Sequence, residues 1–134
     1  MRPVGFIYEL NQIRAARPFE EYRGAIYRDL DATEEIVTYL NNGKLIFAWM
    51  GYFIDFKTKE PIAPDAYYTD GVWVWPGYLS YYLNRHSNFI LDKEFLDKIR
   101  VSKNESRCRF IDVKEAEVFE NEVYEILKDR LCDL

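Results

Sequence analysis

Histidine and cysteine are scarce in this sequence, which contains only His86, Cys108 and Cys132. Two cysteines permit at most one disulfide, and with no CxxC motif and no second histidine they complete no metal site. The sequence also lacks a glycine-rich phosphate loop, an HExxH motif and a GxSxG nucleophile elbow. We therefore predict no metal, no cofactor and no catalytic residues, and we expect both thiols to be reduced.

Long hydrophobic runs are also missing. The longest, from Leu45 to Ile54, has ten residues, whereas a membrane-spanning helix needs roughly 20. The first residues contain no uninterrupted apolar segment followed by a small-residue cleavage site, so they do not resemble a signal peptide. These absences predict a cytoplasmic protein that does not associate with a membrane.

An excess of basic residues is the third absence. The chain has 18 Lys and Arg against 23 Asp and Glu, for a formal net charge of −5. Nucleic acids and anionic membranes are bound by basic surfaces, so neither is an expected partner.

Aromatic residues, by contrast, are abundant. The 134 residues include eleven Tyr, nine Phe and three Trp, and such a content of large apolar side chains excludes a disordered chain. The length fits one domain, which we predict to span residues 1–134.

Apolar residues at helical spacing predict helices in several segments. The first two are 5–16, with Phe6, Leu10 and Ile13, and 18–26, with Ile26 on its inward stripe. A third helix begins at Asp31 as N-cap and ends before Gly43, where a left-handed residue is favoured. Later helices begin at Pro76 and after Asp92, and the last spans 112–132.

Strand-forming residues concentrate in three segments: 44–56, 67–75 and 106–111. The first is apolar on both faces, which predicts a central strand, and Gly51 predicts either a bulge within it or a break between two strands. The charged, proline-containing segment 57–65 predicts an exposed connection. Asp70-Gly71 predicts a two-residue hairpin turn. We therefore predict an α+β fold with a small, mostly antiparallel sheet of three to four strands and four to five helices.

The acidic excess lies entirely at the end of the chain. Residues 112–134 contain eight acidic and three basic side chains, which is −5, while residues 1–111 contain fifteen of each sign. The acidic side chains predicted to face outward on the last helix are Glu115, Glu122, Glu125 and Asp129. They form either a solvated surface that favours solubility or a docking face for a basic partner.

Aromatic side chains between residues 67 and 82 admit two interpretations. Most are expected in the core, but exposed Trp73, Trp75 and Tyr78 would anchor a protein partner or form a carbohydrate-binding platform. His86 fits a structural position near a helix end, and Asp70 fits a turn residue.

The segment 69–99 resembles a pattern found in small bacterial immunity proteins, which are encoded beside polymorphic or contact-dependent toxins. The matching elements are Asp70-Gly71, Trp73, Trp75-Pro76, Leu79, Tyr81-Tyr82, His86 and Phe95. The run Ile36–Leu40 with Asn42-Gly43 resembles the stretch that precedes the pattern. The resemblance implies a non-enzymatic inhibitor that binds one cognate toxin in the cytoplasm and blocks its active site. Many such toxins are basic nucleases, which agrees with the acidic helix.

The expected function is therefore toxin neutralisation through contact with Glu115, Glu122, Glu125, Asp129, Trp73, Trp75 and Tyr78. Three alternatives stay open at this point. They are a small-ligand or carbohydrate-binding domain that uses Trp73, Trp75 and Tyr78, an enzyme that uses His86 with a carboxylate, and a structural protein of a phage or larger assembly.

Overall fold

Nine helices and strands are present in the computed structural model, which describes residues 1–102 and 112–130. The strands are β1 (Arg2–Pro3), β2 (Lys44–Ile54), β3 (Pro61–Thr69) and β4 (Trp73–Pro76). The helices are α1 (Phe19–Tyr22), α2 (Leu30–Asn41), α3 (Leu79–Arg85), α4 (Lys93–Ser102) and α5 (Val113–Lys128).

The strands form one mixed sheet in the order β1-β4-β3-β2, with β1 parallel to β4 and the other pairs antiparallel. Together with the five described helices this is an α+β fold, as predicted. The predicted strand 106–111, Cys108 and Cys132 lie outside the described residues.

Both faces of the sheet are covered. On one face Tyr67 of β3 packs against Phe6, and α5 covers the same face at β2. Trp75 pairs with Tyr68, the neighbour of Tyr67, and so points to the opposite face. There its ring packs against Phe95 of α4 and against α2. Because helices cover both sides, even the short strand β4 is fully buried.

The segment 5–16 is not the predicted helix. It forms turns and isolated bridges, one between Ile7 and Arg17 and one between Ile13 and Arg130 of the chain's other end. Gly5 adopts a left-handed φ of 75°, and the Ile7 N–H donates to the Tyr78 hydroxyl. Tertiary hydrogen bonds therefore replace the helical ones that the spacing predicted.

The predicted helix over 18–26 is confined to the four residues of α1. Phe19 and Tyr22 are buried as expected, but Ile26 is exposed instead of facing inward. Gly24 lies against the Ile90 side chain, where a Cβ atom would clash. The chain leaves helical geometry at Arg23, whose backbone is extended.

The N-cap of helix α2 lies two residues before the predicted one. Asp29, not Asp31, accepts a hydrogen bond from the Ala32 N–H as the N-cap. Ile36 and Leu40 are buried as predicted, but Gly43 does not adopt a left-handed φ.

Strand β2 is an edge strand of the described sheet, not a central one. Its pairing with β3 is interrupted between Ala48 and Tyr52, where Gly51 has a φ of 117°. Because β2 continues as one strand from Lys44 to Ile54, Gly51 marks an irregularity within a strand and not a break between two strands. Strand β3 already begins at Pro61, within the segment predicted as an exposed connection. Sequence periodicity missed it because two prolines lie in its first half.

The turn between β3 and β4 contains three residues, and only Gly71 has a positive φ, of 100°. The predicted two-residue turn is therefore wrong in length. The Asp70 carboxylate organises this loop, because its Oδ1 accepts hydrogen bonds from the N–H groups of Val72 and Trp73. Its Oδ2 accepts from the Tyr39 hydroxyl.

Later predictions are mostly confirmed. Pro76 ends β4 instead of starting a helix, and α3 begins at Leu79. Helix α4 follows Asp92 directly, as expected. Asp112 caps α5, and the side chains predicted to face inward are buried or half-buried: Ala116, Phe119, Val123, Ile126 and Leu127.

A second carboxylate-centred turn follows β2. Asp55 is buried, and its Oδ1 accepts hydrogen bonds from the N–H groups of Lys57 (2.7 Å) and Thr58 (3.0 Å). Burial acts to raise the pKa of Asp55, but these hydrogen bonds outweigh it, so the pKa lies below its ordinary value of 3.8.

This shift predicts how stability depends on pH. A carboxylate with a depressed folded-state pKa contributes stability above its unfolded pKa, and loses that contribution as the pH falls through the folded pKa. Between pH 5 and pH 2, we therefore expect the melting temperature of the wild-type protein to fall more than that of Asp55→Asn. Calorimetry across this range measures the difference. Asp97→Asn, at an exposed site on α4, is the control and should follow the wild type.

Candidate functional site

The three aromatic side chains predicted to bind a partner are in the core. Trp73, Trp75 and Tyr78 are 3%, 2% and 0% exposed. Both indole rings pack against Phe95, and the Tyr78 hydroxyl donates to Asn11. These rings form neither a docking surface nor a carbohydrate platform, because helices cover the sheet face that the tryptophans occupy.

Three of the four predicted acidic docking residues form ion pairs within the chain. The Glu122 carboxylate lies 3.5 Å from the amino group of Met1, and Asp129 lies 3.0 Å from Arg14 Nε. Glu125 lies 3.0 Å from Lys128 Nζ. Glu115, in the first turn of α5, is half-buried. The acidic helix is therefore partly neutralised by its own protein.

Two other acidic residues of α5 keep their charge exposed. Glu117 and Glu120 are exposed, and neither forms an ion pair with any residue in 1–102 or 112–130. Tyr124 follows Glu120 by four positions, so the two side chains share one side of the helix. The Tyr124 side chain is 45% exposed.

An aromatic contact connects this side of α5 to the edge strand β2. The ring of Phe47 lies 6.1 Å from Tyr124 and 4.7 Å from Trp49, between centroids. Trp49 is 47% exposed and Met50, next to it, is fully exposed. Both residues directly precede Gly51, in the part of β2 where pairing with β3 is interrupted.

We call this surface the docking face and define it as Trp49, Met50, Glu117, Glu120 and Tyr124. It combines large apolar side chains with uncompensated negative charge. Proteins expose such side chains singly everywhere, but several of them near charged residues are typical of an interaction site. Here the ring of Phe47 contacts both Tyr124 and Trp49 and so links the helix to the strand.

A cleft of about 590 Å³ adjoins the docking face. Its walls come from residues 10–13, the bulge of β2, the middle of β3 and the end of α5. Trp49 and Tyr67 meet edge to face with centroids 6.3 Å apart. Asp65 lines the cleft beside these rings, and Arg130 lies at its exposed side.

A chain of hydrogen bonds connects the cleft to the core. The Tyr78 hydroxyl donates to Asn11 Oδ1 (2.6 Å), and Asn11 Nδ2 donates to the Tyr67 hydroxyl (3.1 Å). Burial raises the pKa of Tyr78 well above its ordinary value, and burial together with the Asp65 carboxylate does the same for Tyr67. Both phenols are therefore neutral at physiological pH and serve to position the walls of the cleft.

His86 lies at the end of α3 and not in this cleft. Its ring is 4.9 Å from Phe19 and packs on Tyr82. Burial, followed by the positive charges of Arg23 and Lys57, lowers the pKa of His86 below 6.5. The imidazole is thus a neutral packing group at physiological pH, which agrees with the structural interpretation.

Within the described part of the chain, no group of three or more His, Cys, Asp or Glu side chains is arranged to hold a metal ion. No described helix combines the length and the apolar character needed to cross a membrane. Comparison of the chain with protein families, with curated proteins and with solved structures found no match.

Sequence patterns did not identify the docking face because they placed β2 in the centre of the sheet. An apolar strand buried on both faces and an apolar edge strand have the same composition. Glu117 and Glu120 contribute to the −5 charge of the last segment. Nothing in the sequence distinguishes them from Glu122 and Asp129, which form ion pairs with residues near the start of the chain.

Proposed function

We propose that this chain is a non-enzymatic immunity protein that binds and neutralises a basic toxin protein through the docking face. The observation that carries the proposal is that Glu117 and Glu120, which have no ion-pair partner among the described residues, share one side of α5 with exposed Tyr124. Phe47 links Tyr124 to exposed Trp49 on β2. The toxin's active site would be blocked by direct contact. A partner of this kind is what the resemblance over residues 69–99 implies.

The apolar part of the docking face has the composition of a binding hot spot. Trp, Tyr and Met are enriched at the centre of protein interfaces, and truncation of a central Trp often costs 2 kcal/mol or more, as a typical value. Contact between Trp49 and Phe47 restricts the indole before binding. Less side-chain entropy is then lost when a partner covers it.

The acidic part of the docking face would orient the partner and raise the rate at which it associates. Glu117 and Glu120 would meet Lys or Arg side chains directly. Glu122, Glu125 and Asp129 already have partners in the chain, so their contribution is to the long-range field that attracts a basic protein. This division of roles replaces the simpler acidic patch that the sequence predicted.

Growth rescue tests the proposal. A toxin-domain gene immediately upstream in the source genome would be expressed in a bacterial host, where we expect growth arrest, and co-expression of this chain should restore growth. Glu117→Lys/Glu120→Lys should fail to restore it. The control, Glu20→Lys/Glu21→Lys, changes the net charge equally at two exposed sites on α1 and should restore growth. Rescue by both double variants would contradict the assignment of the docking face, and no rescue by the wild type would contradict the function.

A further inference from the structure

The aromatic cleft beside the docking face has the composition of a cation-binding site. Trp49, Phe53 and Tyr67 contribute its rings, with Phe53 and Tyr67 edge to face at 6.2 Å. The faces of aromatic rings attract cations, and Trp does so most strongly. Trp49 is the one member whose ring is also widely exposed, so a cation entering from the docking face reaches it first.

Asp65 adds a negative charge that the described residues leave uncompensated. Its carboxylate forms no ion pair with any residue of 1–102 or 112–130, and the buried Oδ1 receives no hydrogen bond of ordinary length from them. The Tyr67 hydroxyl is the neighbouring donor, close enough for the carboxylate to raise the pKa of Tyr67. Asp65 is half-buried as a residue, and a carboxylate oxygen that has lost solvent contact without gaining a donor destabilises the isolated protein. A ligand that brings N–H donors and positive charge would remove that penalty on binding.

We propose that the cleft receives an arginine side chain of the partner protein, with its guanidinium group between the Trp49 ring and the Asp65 carboxylate. This inference rests on the proposed function, since it names the contact that a basic partner would make. Guanidinium is favoured over ammonium because it is planar, stacks on aromatic rings and donates two parallel hydrogen bonds to one carboxylate. The amide nitrogen of Gln12 donates to the Tyr8 carbonyl, which leaves the Gln12 side-chain oxygen at the cleft wall as a further acceptor.

Arg130 is the opposing charge at this site. It lines the cleft from the end of α5 but is exposed, and it forms no ion pair with another described residue. Its positive charge repels an incoming cation, so its removal should not weaken arginine binding. Arg130→Gln therefore serves as a matched control for substitution of Asp65.

Tryptophan fluorescence tests the cleft with small probes and the intact protein. Trp73 and Trp75 are buried, so a ligand-dependent change reports chiefly on Trp49. N-acetyl-L-arginine methylamide should give a saturable change. The citrulline analogue, which has nearly the same shape and no charge, should bind at least tenfold more weakly. Equal binding of the two probes by the wild-type protein would overturn the proposal.

Two variants locate the interaction. Asp65→Asn keeps the shape of the side chain and should lower the affinity for the arginine probe at least tenfold, whereas Arg130→Gln should keep or increase it. The melting temperature of each variant shows whether it folds. If Asp65→Asn does not fold, the comparison of the arginine and citrulline probes on the wild-type protein still tests the proposal. Unchanged affinity in folded Asp65→Asn would overturn the cleft assignment.

The same variant separates this inference from the proposed function. If folded Asp65→Asn still neutralises the toxin with wild-type affinity, the arginine contact is wrong while the docking face stands. If the wild type binds the arginine probe but binds no toxin, the proposed function is wrong. The cleft then still binds arginine, but the partner that supplies the arginine is not a toxin.

Discussion

Trp49→Ala/Glu117→Lys/Glu120→Lys should bind the purified toxin partner about 100-fold to 10,000-fold more weakly than the wild type, which corresponds to about 3–6 kcal/mol. Removal of the indole eliminates the largest exposed apolar side chain of the docking face. The two reversals replace attraction with repulsion at the positions where a basic partner would lie. Isothermal titration calorimetry measures the loss directly.

The control for this experiment changes the same chemistry elsewhere on the surface. Tyr27→Ala/Glu20→Lys/Glu21→Lys removes an exposed aromatic ring and reverses two exposed acids near α1. We expect its affinity to stay within about threefold of the wild-type value, because only the long-range charge changes. Equal losses in the two triple variants would show that net charge, and not the docking face, governs binding.

Asp70→Ala should lower the free energy of unfolding by about 3 kcal/mol, which is at the upper end for a single polar substitution. The side chain is only 10% exposed and its carboxylate lies 3.1 Å from Lys98 Nζ. The Asp70 carboxylate also accepts a hydrogen bond from the Tyr39 hydroxyl (2.6 Å) and from two backbone N–H groups, those of Val72 and Trp73. Loss of one side chain therefore detaches the β3–β4 turn from both α2 and α4.

Urea denaturation of this variant provides the measurement, with two comparisons. Asp70→Asn keeps an oxygen that can accept the loop N–H groups but loses the charge facing Lys98, so its stability should be intermediate. Asp97→Ala removes an exposed carboxylate whose distance to Arg100 is 3.8 Å, and should change stability by less than about 0.5 kcal/mol. A loss in Asp70→Ala no larger than in Asp97→Ala would contradict the role given to this turn.

The elements that sequence patterns predicted well are those whose order depends on local signals. Helix α5 carries its own N-cap at Asp112 and a regular apolar stripe through Val123 and Leu127, so cap and periodicity agree. The same holds for the inward side of α2. Where the local signals agree, the element that they predict is also the one that tertiary packing stabilises.

The segment 5–16 shows why the rest was not predictable. Its apolar spacing fits a helix, yet its backbone pairs with Arg17 and Arg130 and hydrogen-bonds to the Tyr78 hydroxyl. Tyr78 and Arg130 lie far away in sequence, so no local window contains them. For the same reason the acids of the last helix looked equivalent, although Glu122 and Asp129 are paired with residues from the first turns of the chain.

Inhibition of the purified toxin at defined ratios tests the central claim most directly. The toxin's activity would be measured as increasing amounts of this chain are added at concentrations well above the dissociation constant. A stoichiometric blocker predicts a linear decline that reaches zero at one equivalent. Full toxin activity at an excess of this chain, or its abolition by a small fraction of an equivalent, would contradict a non-enzymatic protein that acts by direct occlusion.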